Sequence, residues 1–299
     1  MTGKLVISVD CSTSAAKAVV WDERGKAIAE GRKGFDVNQP KSGWGEQDAR
    51  DWWGAVTTAI AEATAKSLAP ELIAAISITH QRETFVCLDS QDQPIRPAIL
   101  WLDVRATEEV DEYGTADVHR ITGKPVNPTP AWYKLLWLAK HEPSTMQRCH
   151  RVVDVAGFII HRLTGEWATS WASADPLGVL DLSTFDYDDG LLKTAGLSRD
   201  SLPRLAAPGD IVGQLTDTVA DQLGLPRGLP VVAAAGDGQS AGLGCNVTKS
   251  GVAYLNLGTG FVFGTHAEEY SHATVYRTMG SAVPRKWVLE SFIGGGTYN

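Results

Sequence analysis

An acid closes the first apolar run, LVISVD, and after Asp10 comes CSTSAAK, a stretch with almost no side-chain bulk. Small turn residues leave backbone N–H groups uncovered, and the hydroxyls of Ser12 and Thr13 add donors, a combination that suits anionic oxygens. A bare carboxylate repels phosphate, so Asp10 fits there only with Mg²⁺ or ordered water between them. Far along the chain LNLGTGFVFG repeats the device, with Gly258, Thr259 and Gly260 in the turn. One tight turn is usually structural, but two of them could grip one phosphate chain from both sides. Asp237 ends another apolar run, PVVAAAGD. A strand-end carboxylate can orient a hydroxyl and accept its proton as a phosphoryl group arrives; equally, Asp237 could cap a helix starting near Gln239. In THQRETF, Arg82 offers a planar donor fork and Glu83 an acceptor, a pair suited to a vicinal diol, although a surface ion pair has the same composition.

These residues need elements to carry them. Strands are expected at Leu5 to Val9, Lys17 to Trp21 and from Ala27, joined by tight turns into a meander. Asp48 stands as an N-cap before a helix whose Trp52, Val56, Ala59 and Ala63 recur at helical spacing. A buried strand over Ile73 to Ile78 delivers Arg82 and Glu83 at its C-terminal end, where α/β proteins place sites. Helices are expected around Trp132 to Lys140 and Val153 to Leu163, and Ser170 to Pro208 reads as rich in loops. The 299 residues, 43% of them hydrophobic, suffice for one large domain and part of another.

Composition narrows the partners. A net charge of −8 without a Lys/Arg cluster disfavours nucleic acid and favours small molecules. Cys11, Cys87, Cys149 and Cys245 lack CxxC spacing, so neither a zinc site nor a disulfide framework is indicated. No apolar run reaches the length of a membrane span and no signal-peptide pattern opens the chain. A cytoplasmic setting is the simplest expectation.

Taken in order, VDCSTSAAKAVVWD, GWGEQDARDWW, ITHQRETFVCLDSQDQPIRPAILWLDVRA, HRLTGEWAT, AAAGDGQSAGLG and LNLGTG resemble the FGGY carbohydrate kinases, which include glycerol kinase and xylulokinase. The resemblance implies an α/β, actin/hexokinase-like (ribonuclease H-like) fold, a mixed sheet flanked by helices. It further implies a substrate-binding domain over 1–246 and the beginning of a nucleotide-binding domain over 247–299, left incomplete, so that 1–299 alone is expected to have low kinase activity. ATP and Mg²⁺ are the implied cofactors, a small sugar or polyol the partner, and a homodimer an admissible assembly. Carried over residue by residue, Asp237 falls at the catalytic base. Arg82 and Glu83 match the pair that binds a polyol in glycerol kinase, Trp101 the aromatic wall of the pocket, and Asp103 the acid that comes after it; Gln239, two residues after the base, is a candidate substrate contact, with a helix-surface glutamine as the alternative. Ser12, Thr13, Gly258, Thr259 and Gly260 match the two phosphate-facing turns, Lys17 the basic position of the first, and Asp10 the metal site, reached through water. Departures are Ser12 for a usual glycine, Thr129 where glycerol kinase shows a tyrosine, and Gly238 for a glutamine after the base. They leave a mixed pocket, for a ketose such as xylulose or a glycerol-like polyol.

Two rival readings share the fold. A catalytically inactive, actin-like sugar-binding or sensor module would keep the architecture without the chemistry. A sugar-responsive repressor would need a DNA-binding module, and no helix-turn-helix or basic segment precedes Val6.

Overall fold

The computed structural model describes residues 3–67, 69–257 and 260–294. β1 (Leu5–Cys11), β2 (Ala15–Trp21) and β3 (Ala27–Gly34) form the antiparallel meander expected from the turns between them. β4 (Ile73–His80) lies parallel to β1, with β5 (Ile211–Gln214) and β6 (Pro230–Gly236) beyond it. The resulting six-stranded mixed sheet has the order β5-β6-β4-β1-β2-β3. Because β1, β4 and β6 all run parallel, their C-terminal ends share one edge. Register places Asp10 beside Thr79, and both Cys11 and Gly236 beside His80. The acids ending β1 and following β6 therefore meet there, as the crevice rule for such sheets anticipates.

Alternation fixes what each face does. Leu5, Ile7, Val9 and Cys11 are buried, and Ser8 and Asp10 take the opposite face. Across β2 and β3 lies α1 (Ala49–Lys66), which buries Trp52, Val56, Ala59 and Ala63 at the predicted spacing. Its N-cap is Asp48, whose side chain accepts from the Arg50 N–H. Gly31 makes this approach close: a Cβ there would sit 2.2 Å from the Ala59 carbonyl oxygen and 2.8 Å from the Glu62 Cβ. Backbone cannot yield as a flexible side-chain tip does. Gly31→Ala should therefore cost about 1–3 kcal/mol by forcing helix and sheet apart, read as a lower urea midpoint with an unchanged m-value.

A second sheet joins Glu46–Gln47, Ala98–Ile99, Phe85–Leu88 and Arg151–Asp154 in that order, with Ala98–Ile99 and Phe85–Leu88 inside. Against it packs α2 (Ala131–His141), contributing Trp132, Tyr133, Leu135, Leu136 and Leu138 to a second core. α3 (Val155–Thr164) comes directly after Arg151–Asp154 and packs on the main sheet. The stretch read as loops holds short ordered pieces, among them the helices Trp171–Ala174 and Asp189–Thr194. Elements of four to six residues are too brief to show a periodicity. After α4 (Asp237–Gly244) comes a four-stranded antiparallel sheet of β7 (Ala253–Leu257), β8 (Gly260–Ala267), β9 (Arg277–Gly280) and β10 (Trp287–Gly294), in the order β7-β8-β10-β9. Its small core is Val247, Tyr254, Met279 and Val288, and Leu255, Leu257 and Phe263 remain exposed. Among the described residues no helix is long and apolar enough to cross a membrane.

Candidate functional site

A cavity of about 470 Å³ is lined by Arg82, Glu83, Trp101 and Asp237 from the N-terminal part of the chain and by Arg277 and Glu290 from the C-terminal sheet. Lys124, Asn127 and Thr129 complete one wall. Concave, partly apolar sites with a few convergent polar groups are where small molecules bind.

The Arg82–Glu83 pair is delivered by the end of β4. Beyond His80 the chain turns sharply, and Glu83 takes a left-handed conformation with φ 55°, which costs roughly 1–2 kcal/mol for a residue with a Cβ. Its carboxylate is anchored in return, accepting from Arg277 Nη1 at 2.8 Å. Arg82 is buried and doubly held: Nη1 and Nη2 donate to Glu290 at 3.2 and 3.1 Å, and Nε pairs with Asp237 Oδ1 at 3.0 Å. Burial disfavours the Arg82 charge, but the surrounding Glu290, Asp237 and Glu83 more than reverse this and raise its pKa well above the ordinary value. For Glu290 burial again opposes the charge, and Arg82 with Arg277 override it, holding this carboxyl well below the usual range. The five groups form one chain of alternating sign, Asp237–Arg82–Glu290–Arg277–Glu83.

The C-terminal sheet builds its half in one row. Tyr254 opposes Gly264, Gly264 opposes Glu290, and Glu290 opposes Arg277, so the four residues stand side by side on one face. Gly264 leaves room for the Tyr254 ring, which a Cβ would meet at 2.3 Å. The ring then reaches across to donate its hydroxyl to Glu290 at 2.9 Å. Sequence reasoning missed Tyr254, Arg277 and Glu290. The only signal was a carboxylate inside an apolar strand, WVLESFI, and a strand-interior acid without a visible partner indicates no particular site.

Asp237 does not cap its helix from outside: α4 begins at Asp237 itself, with Gly236 as N-cap. Its Oδ1 accepts from the Gly238 N–H at 2.7 Å and faces Arg82. Among the described residues Oδ2 takes no hydrogen bond, and the side chain is 48% exposed toward the cavity. Asp10 has a buried Oδ1 with no hydrogen-bond partner among the described residues. Its pKa is pushed up to about 6, first by burial and then by Asp237, with His80 pulling the other way. An orphaned carboxylate oxygen next to a second acid is an arrangement that a hydrated cation would relieve. The one cluster of three close ligands among the described residues is Glu108, Glu109 and His141, which does not include Asp10.

The remaining expected residues are placed unevenly. Trp101 lines the cavity, 40% exposed, and its Nε1 donates to Thr13 Oγ1 at 2.9 Å, linking the first turn to the wall. Ser12 is closed on its own turn, its hydroxyl donating to the Ala15 carbonyl at 2.9 Å. Lys17 is half-exposed and forms an ion pair with Glu30 at 2.9 Å. Asp103 is fully buried outside the cavity. It accepts from the Gly45 N–H at 2.7 Å and from Arg105 through the backbone N–H, Nε and Nη2, so its acceptors are satisfied by the protein. The acid after the tryptophan thus ties the 43–45 loop to Arg105. Gln239 is likewise buried, donating to the Ala172 carbonyl at 2.9 Å, and does not line the cavity. Gly258 and Thr259 lie outside the described residues, and Gly260 opens β8 opposite Gly294.

Residues 5–244 match the N-terminal domain of the FGGY family of carbohydrate kinases. The chain is 31% identical over 291 residues to xylulose kinase of Escherichia coli K12, covering 96% of this chain and 60% of that protein. It superposes on ligand-bound xylulose kinase from Lactobacillus acidophilus with a TM-score of 0.93 and 29% identity, over 98% of this chain and 61% of the other. Gluconate kinase from the same organism gives the same TM-score at 28% identity, over 99% and 61%. The chain thus spans about three fifths of the length of these relatives. All are named as kinases, which lends no support to a fold kept without chemistry.

Proposed function

The chain belongs to the FGGY family of carbohydrate kinases, and we propose that it supplies the acceptor half of an enzyme transferring phosphate from ATP to a hydroxyl of a small uncharged sugar or polyol, a ketose such as xylulose or a glycerol-like polyol. One observation carries the reading: Asp237 lines a cavity bordered by Arg82 and Glu83, and one of its carboxylate oxygens takes no hydrogen bond among the described residues. In this reading that oxygen orients an acceptor hydroxyl and takes its proton. Arg82 uses one N–H of each terminal nitrogen on Glu290 and Glu83 one oxygen on Arg277, which leaves further donors and an acceptor for a diol. Trp101 supplies an apolar wall for the carbon chain. The first turn, through Thr13 and its backbone, and residues 258–260 would take the phosphates. Asp10 would hold Mg²⁺ through water, the ion neutralising charge on the transferred group. The division at about residue 246 and a homodimer belong to the same reading.

Charge balance separates neutral acceptors from acidic ones, which overall shape cannot do when xylulose and gluconate kinases superpose equally well. The cations bordering the cavity are Arg82, Arg277 and Lys124, and each already faces a carboxylate, the last that of Asp175 at 2.5 Å. A sugar acid would bring one more negative charge into a site with no free cation among the described residues, beside Asp237. The test is a panel of xylulose, glycerol and gluconate with MgATP and the full-length protein. Turnover of xylulose or glycerol at least tenfold above gluconate is the expected result, and a preference for gluconate would refute the reading.

A further inference from the structure

The free oxygen of Asp237 depends on what restrains Arg82. A guanidinium beside a carboxylate ordinarily closes into a two-bond fork, and such a fork on Asp237 would occupy the oxygen that an acceptor hydroxyl must reach. Here the fork is turned the other way: Nη1 and Nη2 go to Glu290 at 3.2 and 3.1 Å, and only Nε faces Asp237, at 3.0 Å. Glu290 can hold it because its side chain is fully buried and is itself fixed on three sides, by Arg82, by Arg277 through Nε at 2.7 Å, and by the Tyr254 hydroxyl at 2.9 Å. Arg277 in turn clamps Glu83.

We propose that Glu290 and Arg277, on adjacent strands of the C-terminal sheet, are positioning residues of the acceptor site: Glu290 draws the Arg82 fork off Asp237, and Arg277 fixes Glu83. The proposal rests on reading this cavity as the acceptor site. It makes that site a joint product of both sheets, with groups 190 residues or more apart in sequence holding Arg82 and Glu83.

Steady-state kinetics of the full-length protein with xylulose or glycerol, whichever it phosphorylates, tests this. Glu290→Gln should lower kcat at least tenfold and raise the sugar KM severalfold with the MgATP KM within twofold, because Arg82 closes on Asp237. Glu290→Asp keeps the charge but shortens the reach, and should remain similarly impaired. Wild-type kinetics in a folded Glu290→Gln protein, or full rescue by Glu290→Asp, would overturn the proposal, since charge alone would then suffice. Should neither variant fold, Arg277→Met decides: its side chain is one-fifth exposed, and releasing Glu83 should raise the sugar KM at least tenfold, an unchanged KM overturning the assignment. Asp237→Asn runs alongside. If it retains full turnover the acceptor-site reading itself falls, whereas loss in Asp237→Asn with no effect at Glu290 and Arg277 sinks only the positioning proposal.

Discussion

Asp237→Asn is expected to lower kcat for phosphoryl transfer by about a thousandfold, within the 10²–10⁴ that a positioned general base contributes, with acceptor affinity changed only by a small factor. Asparagine keeps the size of the side chain and can still accept from the Gly238 N–H, but it cannot take a proton. A second readout needs no turnover. Asp237 is one of the two influences that raise Asp10 to about 6, so in metal-free buffer the Asp10 carboxyl should titrate near 6 in the native chain and lower in the variant. Stability should respond with a definite sign. Because the folded pKa lies above the unfolded one, native Asp10 binds a proton that the unfolded chain releases between about pH 4 and 6, and this contribution to stability is lost as pH rises through 6. Asp237→Asn should flatten that loss. Carboxyl-carbon NMR titration together with urea unfolding at pH 4.5 and 7 measures both, and an unshifted Asp10 would show that the two acids do not interact.

Much of this was legible because the local signals agreed with the long-range fold. The meander announced itself through tight turns between apolar runs, and α1 through its N-cap and its buried Trp52, Val56, Ala59 and Ala63. Parallel β1, β4 and β6 then bring the acids at their ends to one edge whatever their separation in sequence. Less legible was how each polar side chain is satisfied. Asp103, Lys17 and Gln239 have the right residue types near the right segments, yet Arg105, Glu30 and the Ala172 carbonyl, respectively, engage them. Such pairings depend on where Arg105 points or how β2 and β3 twist, and no motif spacing encodes that. Arg277 and Glu290 went unread for the same reason. Their meaning lies in a cross-strand register and in the bare Gly264 that lets Tyr254 reach Glu290, features that exist only once the sheet has formed.

The tie between the C-terminal sheet and the rest of the chain gives the largest expected stability effect. Lys124, buried, donates to Asp175 at 2.5 Å, to the Thr122 carbonyl at 3.0 Å and to the Thr278 carbonyl of β9 at 2.6 Å. Asp175 also accepts the Gly280 N–H of the same strand at 2.8 Å. One ion pair therefore holds β9 at two points. Burial is the leading influence on both partners, raising Asp175 and lowering Lys124 despite their mutual attraction. The pair thus only partly recovers its desolvation, and what it specifies is where β9 docks. Removing one partner is different, because it strands a buried charge. Lys124→Met should destabilise the chain by about 3–5 kcal/mol, leaving Asp175 without its cation. Adding Asp175→Asn removes that charge and keeps an acceptor for the Gly280 N–H, so the double variant should be more stable than Lys124→Met alone. A double-mutant cycle by urea denaturation, with m-values compared, measures the coupling. If the two substitutions simply add, the charges do not act as a pair and β9 is held by its backbone contacts and by the Glu290 row instead.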